Sequence, residues 1–598
     1  MSRSMATTSA PRSAAARLWR PSPHPMSSTL VPCPNRKSCQ VNQPLGGEMA
    51  GGGGGGMDTR GMPSRRVPVE DLPAQPVDLL VIGGGLTGSG IAREAAARGL
   101  STILVDRSDL AGGRMAPSNR LVYGSLQHWD QGTLHLRLAP NRERLVFQAM
   151  APHLVRPTPF IFPIQQHGKA SRWHLVSALL YRQWAGLFRN VRRHRLLGKR
   201  GLLALEPLLR DRGLVGGAWY QDALYDGTRL AVASARSAAS HGAVVASYTE
   251  VESLDLADGK IRGAAVRDGV SGKTGRVRAG AVINATGPWI DSIRRFESDS
   301  GDPLLALRRS AYLAVPRARV GHRHAMAIES PLDGRLIHLI PWATRSVIGP
   351  SVTEVEDADA PGATDEDIVY LLRSVNASFP NARLTRDDIH FTWSYIDAHI
   401  GAPNDPSRRR GGKHWVEIGP HGLITVVGGS AAHHRVMAKE AVDAVIKALR
   451  ASGSRSGRES GSSAPDPLPG GEAHDISPLR QPGLDLGLAP ETVEHLLETF
   501  GTEAAAVYNL CRDRRDLMAP LHPSHPAVLA EVVHCVRREF VTTVDDVLTR
   551  RLHLRWETDD GGRAAVEAAA GVMAVEMGWD RETRQAAARA YRATLPDG

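Results

Sequence analysis

Alternating apolar and polar segments predict a β-α-β unit early in the chain. The apolar run VDLLVI occupies residues 77–82, and a second run, STILVD, occupies residues 101–106. Between them lie the glycine turn GGGLTG and the segment GSGIAREAAARG, whose apolar positions recur with a helical period. Two short strands joined by one helix within about 30 residues are typical of a parallel α/β sheet.

Prolines and further apolar runs divide the rest of the chain. Residues 150–163, MAPHLVRPTPFIFP, predict extended chain outside the centre of a sheet, because proline has no N–H for a ladder hydrogen bond. Apolar runs return as AVINA at 281–285, LIPW at 339–342 and LITVV at 423–427. From Pro490 onward the periodicity is mostly helical, including PAVLAEVVHCVRREF at 526–540 and VTTVDDVLTRRL at 541–552.

Composition marks the predicted domain boundaries. The N-terminal segment is rich in Ser, Pro, Arg and Gly and has no acidic residue before Glu48, as in a disordered region or an organelle transit peptide. A start of translation at Met57 or Met62 is the alternative. A second Gly-, Ser- and Pro-rich stretch has the character of a linker. The predicted divisions are an extension at 1–76, an α/β region at 77–452, a linker at 453–475 and a helical domain at 476–598.

The net charge and the cysteine content reduce the number of protein classes to which the chain could belong. The formal net charge of +11 comes largely from arginine, yet no nucleic-acid-binding module is recognisable. The four cysteines, at 33, 39, 511 and 535, form neither a metal-binding spacing nor a disulfide framework, which favours a reducing compartment. No apolar run approaches the ~20 residues that a membrane-spanning helix requires. We therefore expect a cytoplasmic protein.

The glycine turn of the first unit predicts a dinucleotide site. Gly83, Gly85 and Gly88 fit the pattern G-x-G-x-x-G between a strand and a helix, where glycines let the backbone approach a diphosphate. Asp106 ends the second strand and is placed to accept hydrogen bonds from a ribose. The alternative is a glycine turn in an ordinary α/β unit.

Later glycine turns indicate which dinucleotide binds. In VINATGPW (282–289) an apolar run ends at Thr286 and Gly287. In VVGGS (426–430) another apolar run ends at Gly428 and Gly429. NAD-binding domains are usually contiguous, whereas flavoproteins often interrupt the nucleotide domain with a substrate domain. The sequence therefore predicts an α/β fold in which an interrupted Rossmann-like FAD-binding domain accompanies a mixed-sheet substrate domain and a C-terminal helical domain.

Several segments, in this order, resemble the quinone-linked, FAD-dependent glycerol-3-phosphate dehydrogenases. They are VDLLVIGGGLTGSGIAREAAARGLSTILVD, MAPHLVRP (150–157), YQDALYDGTRLAVASAR (220–236), VINATGPW, IPWATRSVIG (340–349), APLHPSHP (519–526) and AEVVHCVRREFVTTVDDVLTRR (530–551). The resemblance implies a peripheral membrane flavoenzyme that transfers a hydride from C2 of glycerol 3-phosphate to the flavin and passes electrons to quinone.

Two pocket segments depart from the family pattern. In SNRLVYGSLQHWD (118–130), Gln127 stands where the family has an arginine, and His128 stands where it has a tyrosine. Tyr312 occupies the position of a family histidine that is a candidate base. We nominate His128 or Tyr312 to manage the hydroxyl proton of a substrate.

Two further pocket segments have lost family cations. The family arginine near the end of FTWSYIDAHIGA (391–402) is absent, with Asp397 and His399 nearby. Ser430 replaces a lysine, whereas Arg435 is kept and is nominated to hold an anionic group. Because a phosphate desolvated without cations is costly, ordinary turnover of glycerol 3-phosphate is in question.

The replacements leave the predicted pocket rich in histidine. His128, His399, His433 and His434 could serve a different alcohol or amine, or they could be scattered surface and core residues. None of these four has the spacing of a metal site, and the pair His522 and His525 has no evident further ligand, so we predict no metal.

Three functions remain open from the sequence. The first is FAD-dependent oxidation of glycerol 3-phosphate or a related alcohol, with quinone as the electron acceptor. The second is a flavoenzyme for another alcohol, an amine or a hydroxy acid. The third is a flavoprotein scaffold without turnover that binds a partner through its helical domain.

A basic segment bears on the cellular partner. RQWAGLFRNVRRHRLLGKR (182–200) combines seven basic residues with Trp184, Leu187 and Phe188 and contains no acid. Such a segment can lie on an anionic membrane surface, which suits delivery of electrons to a lipid quinone. A solvated helix face is the alternative, and nucleic-acid contact is not expected.

Overall fold

A computed structural model describes most of the chain. The described residues are 65–113, 121–122, 138–166, 194–298, 303–359, 362–401, 414–428, 433–454, 457 and 466–595. The predicted N-terminal extension, apart from residues 65–76, lies outside them.

The described strands, in chain order, are β1 (Val77–Ile82), β2 (Thr102–Val105), β3 (Leu121–Val122), β4 (Val155–Gln165), β5 (Arg195–Gly198), β6 (Leu214–Tyr225), β7 (Val244–Ala246), β8 (Thr249–Ala257), β9 (Lys260–Asp268), β10 (Thr274–Asn284), β11 (Leu305–Pro316), β12 (Ala325–Glu329), β13 (Leu336–Trp342), β14 (Arg345–Val355), β15 (Phe391–Ile400), β16 (His414–Ile418), β17 (Ile424–Gly428), β18 (Pro520–His522) and β19 (His525–Val528).

The described α-helices are α1 (Leu86–Ala97), α2 (Leu138–Met150), α3 (Lys199–Leu205), α4 (Gly227–Ser240), α5 (Ile290–Glu297), α6 (Arg317–Val320), α7 (Asp365–Ser378), α8 (His434–Ala451), α9 (Arg480–Asp485), α10 (Pro490–Phe500), α11 (Ala504–Asp513), α12 (Leu529–Arg538), α13 (Leu554–Glu557), α14 (Val566–Met577) and α15 (Arg581–Arg592).

The first sheet confirms the predicted β-α-β unit. It also confirms that the nucleotide-binding domain is interrupted in the sequence. Its strand order is β16-β17-β10-β1-β2-β7, and β9 joins β10 with β8 beyond it. Strand β1 runs parallel to both β2 and β10, and β10 runs parallel to β17. Helices α1, α4 and α8 cover one face of the sheet. This burial explains why β1 and β2 are continuous apolar runs without alternation.

The second sheet confirms the predicted mixed substrate sheet. Its strand order is β15-β11-β14-β13-β12-β4-β6-β3, with β5 paired to β6. Its strand pairs are antiparallel except for β4 and β12, which run parallel. One face packs against α3 and α7, and the other carries a cluster rich in aromatic side chains. We call this second side the aromatic face.

Strand β4 corrects the prediction made from its prolines. Residues 150–163 were expected to be extended chain outside the centre of a sheet, but β4 is an interior strand between β12 and β6. Pro157, Pro159 and Pro163 occupy alternate positions, so their missing N–H groups all fall on one edge of the strand. The long ladder with β6 uses the other edge, and only two residue pairs join β4 to β12.

The C-terminal region is helical, as expected, with local differences. Helix α12 begins at Leu529, later than the periodicity suggested, because residues 525–528 form strand β19. The Glu531 carboxylate accepts a 2.8 Å hydrogen bond from Val528 N–H and so fixes that start. Residues Asp546–Arg551 form a π-helix within the segment predicted to be helical. The boundaries of this domain and of the linker stay predictions.

The C-terminal region is joined to the first sheet by buried ion pairs. Arg229 and Arg236 of α4 form two-pronged hydrogen bonds to Glu539 and Glu503, at 2.6–2.8 Å. Such fork-to-carboxylate contacts fix orientation as well as adding energy. Within the described residues, no helix has both the length and the apolar character to cross a bilayer.

Candidate active site

Four parallel strand ends meet at one edge of the first sheet. Ile82 of β1 lies beside Val105 of β2 and Asn284 of β10, and Asn284 lies beside Thr425 of β17. Ligands of open α/β sheets bind at this carboxyl edge. The segments that follow these strands contain the predicted residues Gly83, Gly85, Asp106, Thr286 and Gly287, while Gly88 lies in the first turn of α1 and Gly428 ends β17. Gly429 lies outside the described residues.

The three motif glycines have distinct steric roles. Gly83 has a φ of +108°, and a Cβ there would lie 2.6 Å from the carbonyl oxygen of Ala285. A Cβ on Gly88 would lie 1.8 Å from the carbonyl oxygen of Gly83, so α1 and the turn approach too closely for any side chain. A Cβ on Gly85 would meet no atom within 4 Å. The turn is therefore compact on its protein side and open at the start of α1.

The open side of this turn suits a diphosphate. Gly85 precedes α1 and has no side chain to cap the helix, so the first-turn N–H groups are directed at the open space. Unpaired N–H groups and the helix dipole together favour an anion at a helix start. The residues present therefore fit the diphosphate of FAD.

Asp106 presents its carboxylate at the same edge. Its Oδ2 accepts a 2.6 Å hydrogen bond from Gly84 N–H, and its Oδ1 accepts hydrogen bonds from both the N–H and the hydroxyl of Ser108. Burial raises the pKa of the Asp106 carboxyl above its ordinary value, against the effect of these donors. The carboxylate is held directly after β2, and its role as ribose acceptor stays a prediction.

Asn284, which was not among the predicted site residues, holds the turn after β10. The Oδ1 atom of the buried Asn284 accepts hydrogen bonds from the hydroxyl of Thr286, at 2.7 Å, and from its N–H, at 3.3 Å. The Asn284 Nδ2 group donates to the Ile290 carbonyl at 2.9 Å. Asn284 thus ties the turn to the start of α5 and leaves Gly287 in open space with a φ of +60°. The polar Asn284 within the apolar run at the end of β10 was the signal available in the sequence.

Tyr312 lies inside the aromatic face. Its ring stacks on Trp393 with a centroid distance of 5.3 Å and on Tyr395 at 5.9 Å. Trp556 of the C-terminal region packs on Trp393 at 6.3 Å, so a residue distant in sequence extends the same cluster. Tyr312 is fully buried among these rings.

The other nominated residues occupy different surroundings. Arg435, near the start of α8, donates from Nε to Glu143 of α2 at 3.0 Å. The neighbouring His434 packs on Phe147 with a ring distance of 4.3 Å and fits against Gly90 of α1. Arg435 and Tyr312 therefore belong to separate groups of packed residues. His128 lies outside the described residues, and the roles given to all three stay predictions.

The histidine pair of the C-terminal region has acidic partners. His522 Nε2 lies 3.0 Å from Asp560, and His525 Nε2 lies 3.1 Å from Glu557. Each ring contacts its own carboxylate. Among the described residues no group of three or more His, Cys, Asp and Glu side chains is arranged to hold a metal ion.

The interrupted parallel sheet and its glycine edge define an FAD-dependent oxidoreductase. Residues 78–433 match the family described as FAD dependent oxidoreductase, and residues 463–584 match the C-terminal domain of alpha-glycerophosphate oxidase. The chain is 30% identical over 548 residues to glycerol-3-phosphate dehydrogenase 2 of Mycobacterium tuberculosis, covering 90% of this chain and 92% of that protein.

Further comparisons agree with this class. The probable mitochondrial glycerol-3-phosphate dehydrogenase of Caenorhabditis elegans is 30% identical over 88% of this chain and 74% of its own length. The structure of glycerol-3-phosphate dehydrogenase from Bacillus halodurans complexed with FAD superposes with a TM-score of 0.73 at 27% identity, covering 88% of this chain and 95% of that one. The chain belongs to the FAD-dependent glycerol-3-phosphate dehydrogenase family.

Proposed function

We propose that this protein oxidises glycerol 3-phosphate or a closely related alcohol by hydride transfer to FAD and passes the electrons to a quinone. One observation carries the proposal: the end of β15 in the substrate sheet lies against both β17 and the turn Gly287–Trp289 of the nucleotide sheet. The substrate sheet therefore adjoins the edge where the cofactor diphosphate fits. A substrate on the aromatic face near this junction would lie beside the cofactor.

The bound flavin supplies the hydride acceptor, and the chain supplies the remaining requirements. Gly83, Gly85 and Gly88 shape the diphosphate turn, and Asp106 offers acceptors to the ribose. The buried rings of the aromatic face supply apolar packing next to the junction. Arg435 remains the proposed anion-binding residue, and a substrate phosphate would have to share its guanidinium with Glu143.

A second candidate function is oxidation of an alcohol without a phosphate, or of an amine. It is favoured by the aromatic face, where the partly buried Tyr395 stacks on the buried ring of Tyr312. A stacked aromatic surface binds apolar or cationic groups better than a dianion. This candidate keeps the same cofactor site and changes the substrate alone.

Anaerobic titration of the purified holoprotein separates the candidates. Glycerol 3-phosphate, glycerol and a secondary or tertiary amine are added in turn. The absorbance of the oxidised flavin at about 450 nm is followed after each addition. Bleaching by glycerol 3-phosphate supports the first function, and bleaching only by glycerol or the amine supports the second. Bleaching by dithionite but by none of these compounds would contradict both functions and leave a scaffold role.

The proposed quinone acceptor requires contact with a membrane surface. Residues 182–193 of the basic segment lie outside the described residues, and residues 194–200 form β5 and the start of α3. Strand β5 lies at an edge of the substrate sheet, where Leu196 is 42% exposed and the neighbouring Val215 is 45% exposed. Arg195, Lys199 and Arg200 are also exposed there. Exposed apolar and basic groups together support contact with anionic lipid.

A further inference from the structure

The end of strand β15 is fixed against the nucleotide sheet. Ala398 and Ile400 pack on Val427 of β17, in a cluster that includes Ile290 of α5. Val427 directly precedes Gly428, and Ile290 follows the turn that contains Thr286 and Gly287. The last residues of β15 are therefore held beside two of the turns that fit FAD.

Strand alternation directs the intervening residues to the aromatic face. Successive side chains of a strand point to opposite sides, so Asp397 and His399 share the side of Trp393 and Tyr395. His399 Nε2 lies 3.6 Å from Asp397 Oδ2, and their side chains are 33% and 50% exposed. A histidine beside a carboxylate thus stands at the end of β15 that packs on the nucleotide sheet, on the side of the strand opposite Ala398 and Ile400.

The charged groups facing this pair come from the two neighbouring strands. Arg308 of β11 lies directly opposite Asp397 in the ladder and is 3.8 Å from Glu354 of β14. The residue opposite His399 is Ala306. On the opposite side of β15, the packed segments contribute apolar residues, including Val427 and Ile290. Arg308 and Glu354 offset one another, so Asp397 is the carboxylate placed to orient the imidazole.

Oxidation of an alcohol requires a base at this location. The hydride leaves the carbinol carbon for the flavin, the hydroxyl O–H bond breaks, and the carbon–oxygen double bond forms. One proton must therefore pass from the substrate oxygen to a neighbouring group while FAD takes up the electron pair. An accessible imidazole oriented by a carboxylate suits this transfer near neutral pH, and such hydrogen bonds are often long in the absence of a ligand.

We propose that His399 is a catalytic residue that accepts the hydroxyl proton of the substrate through Nε2 or Nδ1, and that Asp397 is its positioning residue. The proposal rests on the proposed function, because it assigns the proton acceptor of that reaction. His399 at the end of β15 thereby takes the role that the motif comparison had assigned to His128 or Tyr312.

A measurement without substrate tests the location of His399. A charge that appears beside the flavin shifts its visible absorbance, so the holoprotein should show a one-proton spectral transition when the pH is varied. The transition should disappear in His399→Gln. It should move to lower pH in Asp397→Asn, since the carboxylate that favours the imidazolium is removed.

His421→Gln is the matched control. His421 precedes β17 at the end opposite Gly428, where its Nδ1 lies 3.0 Å from the Gly259 carbonyl. This variant should keep the wild-type spectral transition and the wild-type rate of flavin reduction. Persistence of the transition in His399→Gln at full amplitude would overturn the proposal.

The reductive half-reaction tests the chemical role. With whichever of the three titrants bleaches the wild-type flavin, the rate at pH 7 should fall about 10²–10⁴-fold in His399→Gln, the usual contribution of a general base. The rate should partly recover at high pH, where solvent hydroxide replaces the base. An unchanged rate would show that the pair is only a solvated surface contact. Absence of bleaching in the wild type would instead contradict the proposed function, and the spectral titration would still report on the location of His399.

Discussion

Asp109 and Arg551 form a buried, two-pronged ion pair although 442 residues separate them. Arg551 NH1 donates to Asp109 Oδ2 at 2.8 Å, and NH2 donates to Oδ1 at 2.9 Å, while the neighbouring Arg550 donates from Nε at 2.6 Å. Asp109 follows Asp106 by three residues, in the loop after β2. The carboxylate therefore connects the loop that begins at Asp106 to the C-terminal region.

Substitution of Asp109 by Asn should destabilise the whole described fold. The amide cannot replace the carboxylate that two buried guanidinium groups share. Arg550 keeps Asp545 and Asp546 as partners and Arg551 keeps Glu539, so the loss should not exceed the about 3–5 kcal/mol of a buried ion pair that loses one partner completely. Chemical denaturation of the apoprotein should show this loss of unfolding free energy. FAD affinity should fall as well, because the loop carrying Asp106 loses its anchor.

Asp516→Asn is the control for this measurement. Asp516 pairs with Arg514 at 2.6 Å, but both side chains are largely exposed to solvent. Exposed pairs contribute little to stability. An Asp109→Asn variant as stable as Asp516→Asn would contradict the importance of the buried pair.

Substitutions of two motif glycines should affect different properties, one the affinity for FAD and the other the stability of the apoprotein. Gly85→Ala should leave the apoprotein about as stable as wild type, since Gly85 has a φ of −71° and open space around its Cβ position. The added methyl group would enter the diphosphate space, so FAD binding should weaken by roughly tenfold or more, a loss of about 1.4 kcal/mol. Gly88→Ala should lower stability itself, because its Cβ would collide with the Gly83 carbonyl.

Fluorescence titration with FAD and thermal unfolding of the apoprotein measure the two effects. Gly201→Ala in α3 is a suitable control, since the nearest atom to its Cβ position is 3.9 Å away in the side chain of Leu197. Unchanged FAD affinity in Gly85→Ala would place the diphosphate elsewhere.

His338 should make the protein less stable in mild acid. Burial lowers the pKa of His338 from 6.5 to about 4, despite the opposing effect of Asp222. Between these pH values the unfolded chain binds a proton that the folded chain does not, so the free energy of unfolding falls as the pH falls. A difference of about 2.5 pKa units corresponds to about 3 kcal/mol.

Denaturation of the wild type and His338→Gln between pH 4 and 7 checks this expectation. Burial also lowers the pKa values of His153, to about 3, and of His534, to about 4, so the variant should keep part of the acid sensitivity. The difference in stability between wild type and variant should change steadily across this range. A constant difference would show that His338 titrates normally in the folded protein.

The edge at β5 should contribute to lipid binding. Replacing Arg195, Lys199 and Arg200 together by Gln should reduce co-sedimentation with vesicles containing phosphatidylserine roughly tenfold or more, because each basic residue near an anionic surface contributes about 1 kcal/mol. Raising the salt concentration should weaken wild-type binding in the same direction.

A charge-matched control guards against a general effect of net charge. It replaces three exposed arginines of the C-terminal region, namely Arg563, Arg581 and Arg589. This control should bind vesicles like the wild type. Equal loss of binding in both triple variants would remove β5 from the proposed membrane contact.

The sequence predicted the nucleotide edge well because its determinants are local. Gly83, Gly85 and Gly88 span the turn and the start of α1, and Asp106 directly follows β2, so spacing alone located them, while their contacts with the cofactor stay predictions. The return of the chain to the first sheet as β10 was predicted from the turn at Thr286, because an apolar run ends at a glycine there. The central position of β4 was missed, since residue composition does not reveal which edge of a strand carries its prolines.

The sequence predicted the pocket less well because its neighbours are distant in the chain. His399 was noticed as one of several scattered histidines, but its placement depends on packing of β15 against β17. Trp556 reaches Trp393 from the C-terminal region, and no periodicity indicates that contact. The ion pair of Asp109 with Arg551 was likewise beyond a local pattern.

The interrupted sheet sets the order in which the cofactor site can be completed during synthesis. Strand β1 leaves the ribosome early, but its parallel neighbour β10 begins only at Thr274 and the outer neighbour β17 only at Ile424. A nascent chain that ends between these strands has glycine turns without the partners that hold them. Retention of FAD must therefore come late in translation, and until then the emerging apolar strands of the first sheet lack the neighbours that bury them.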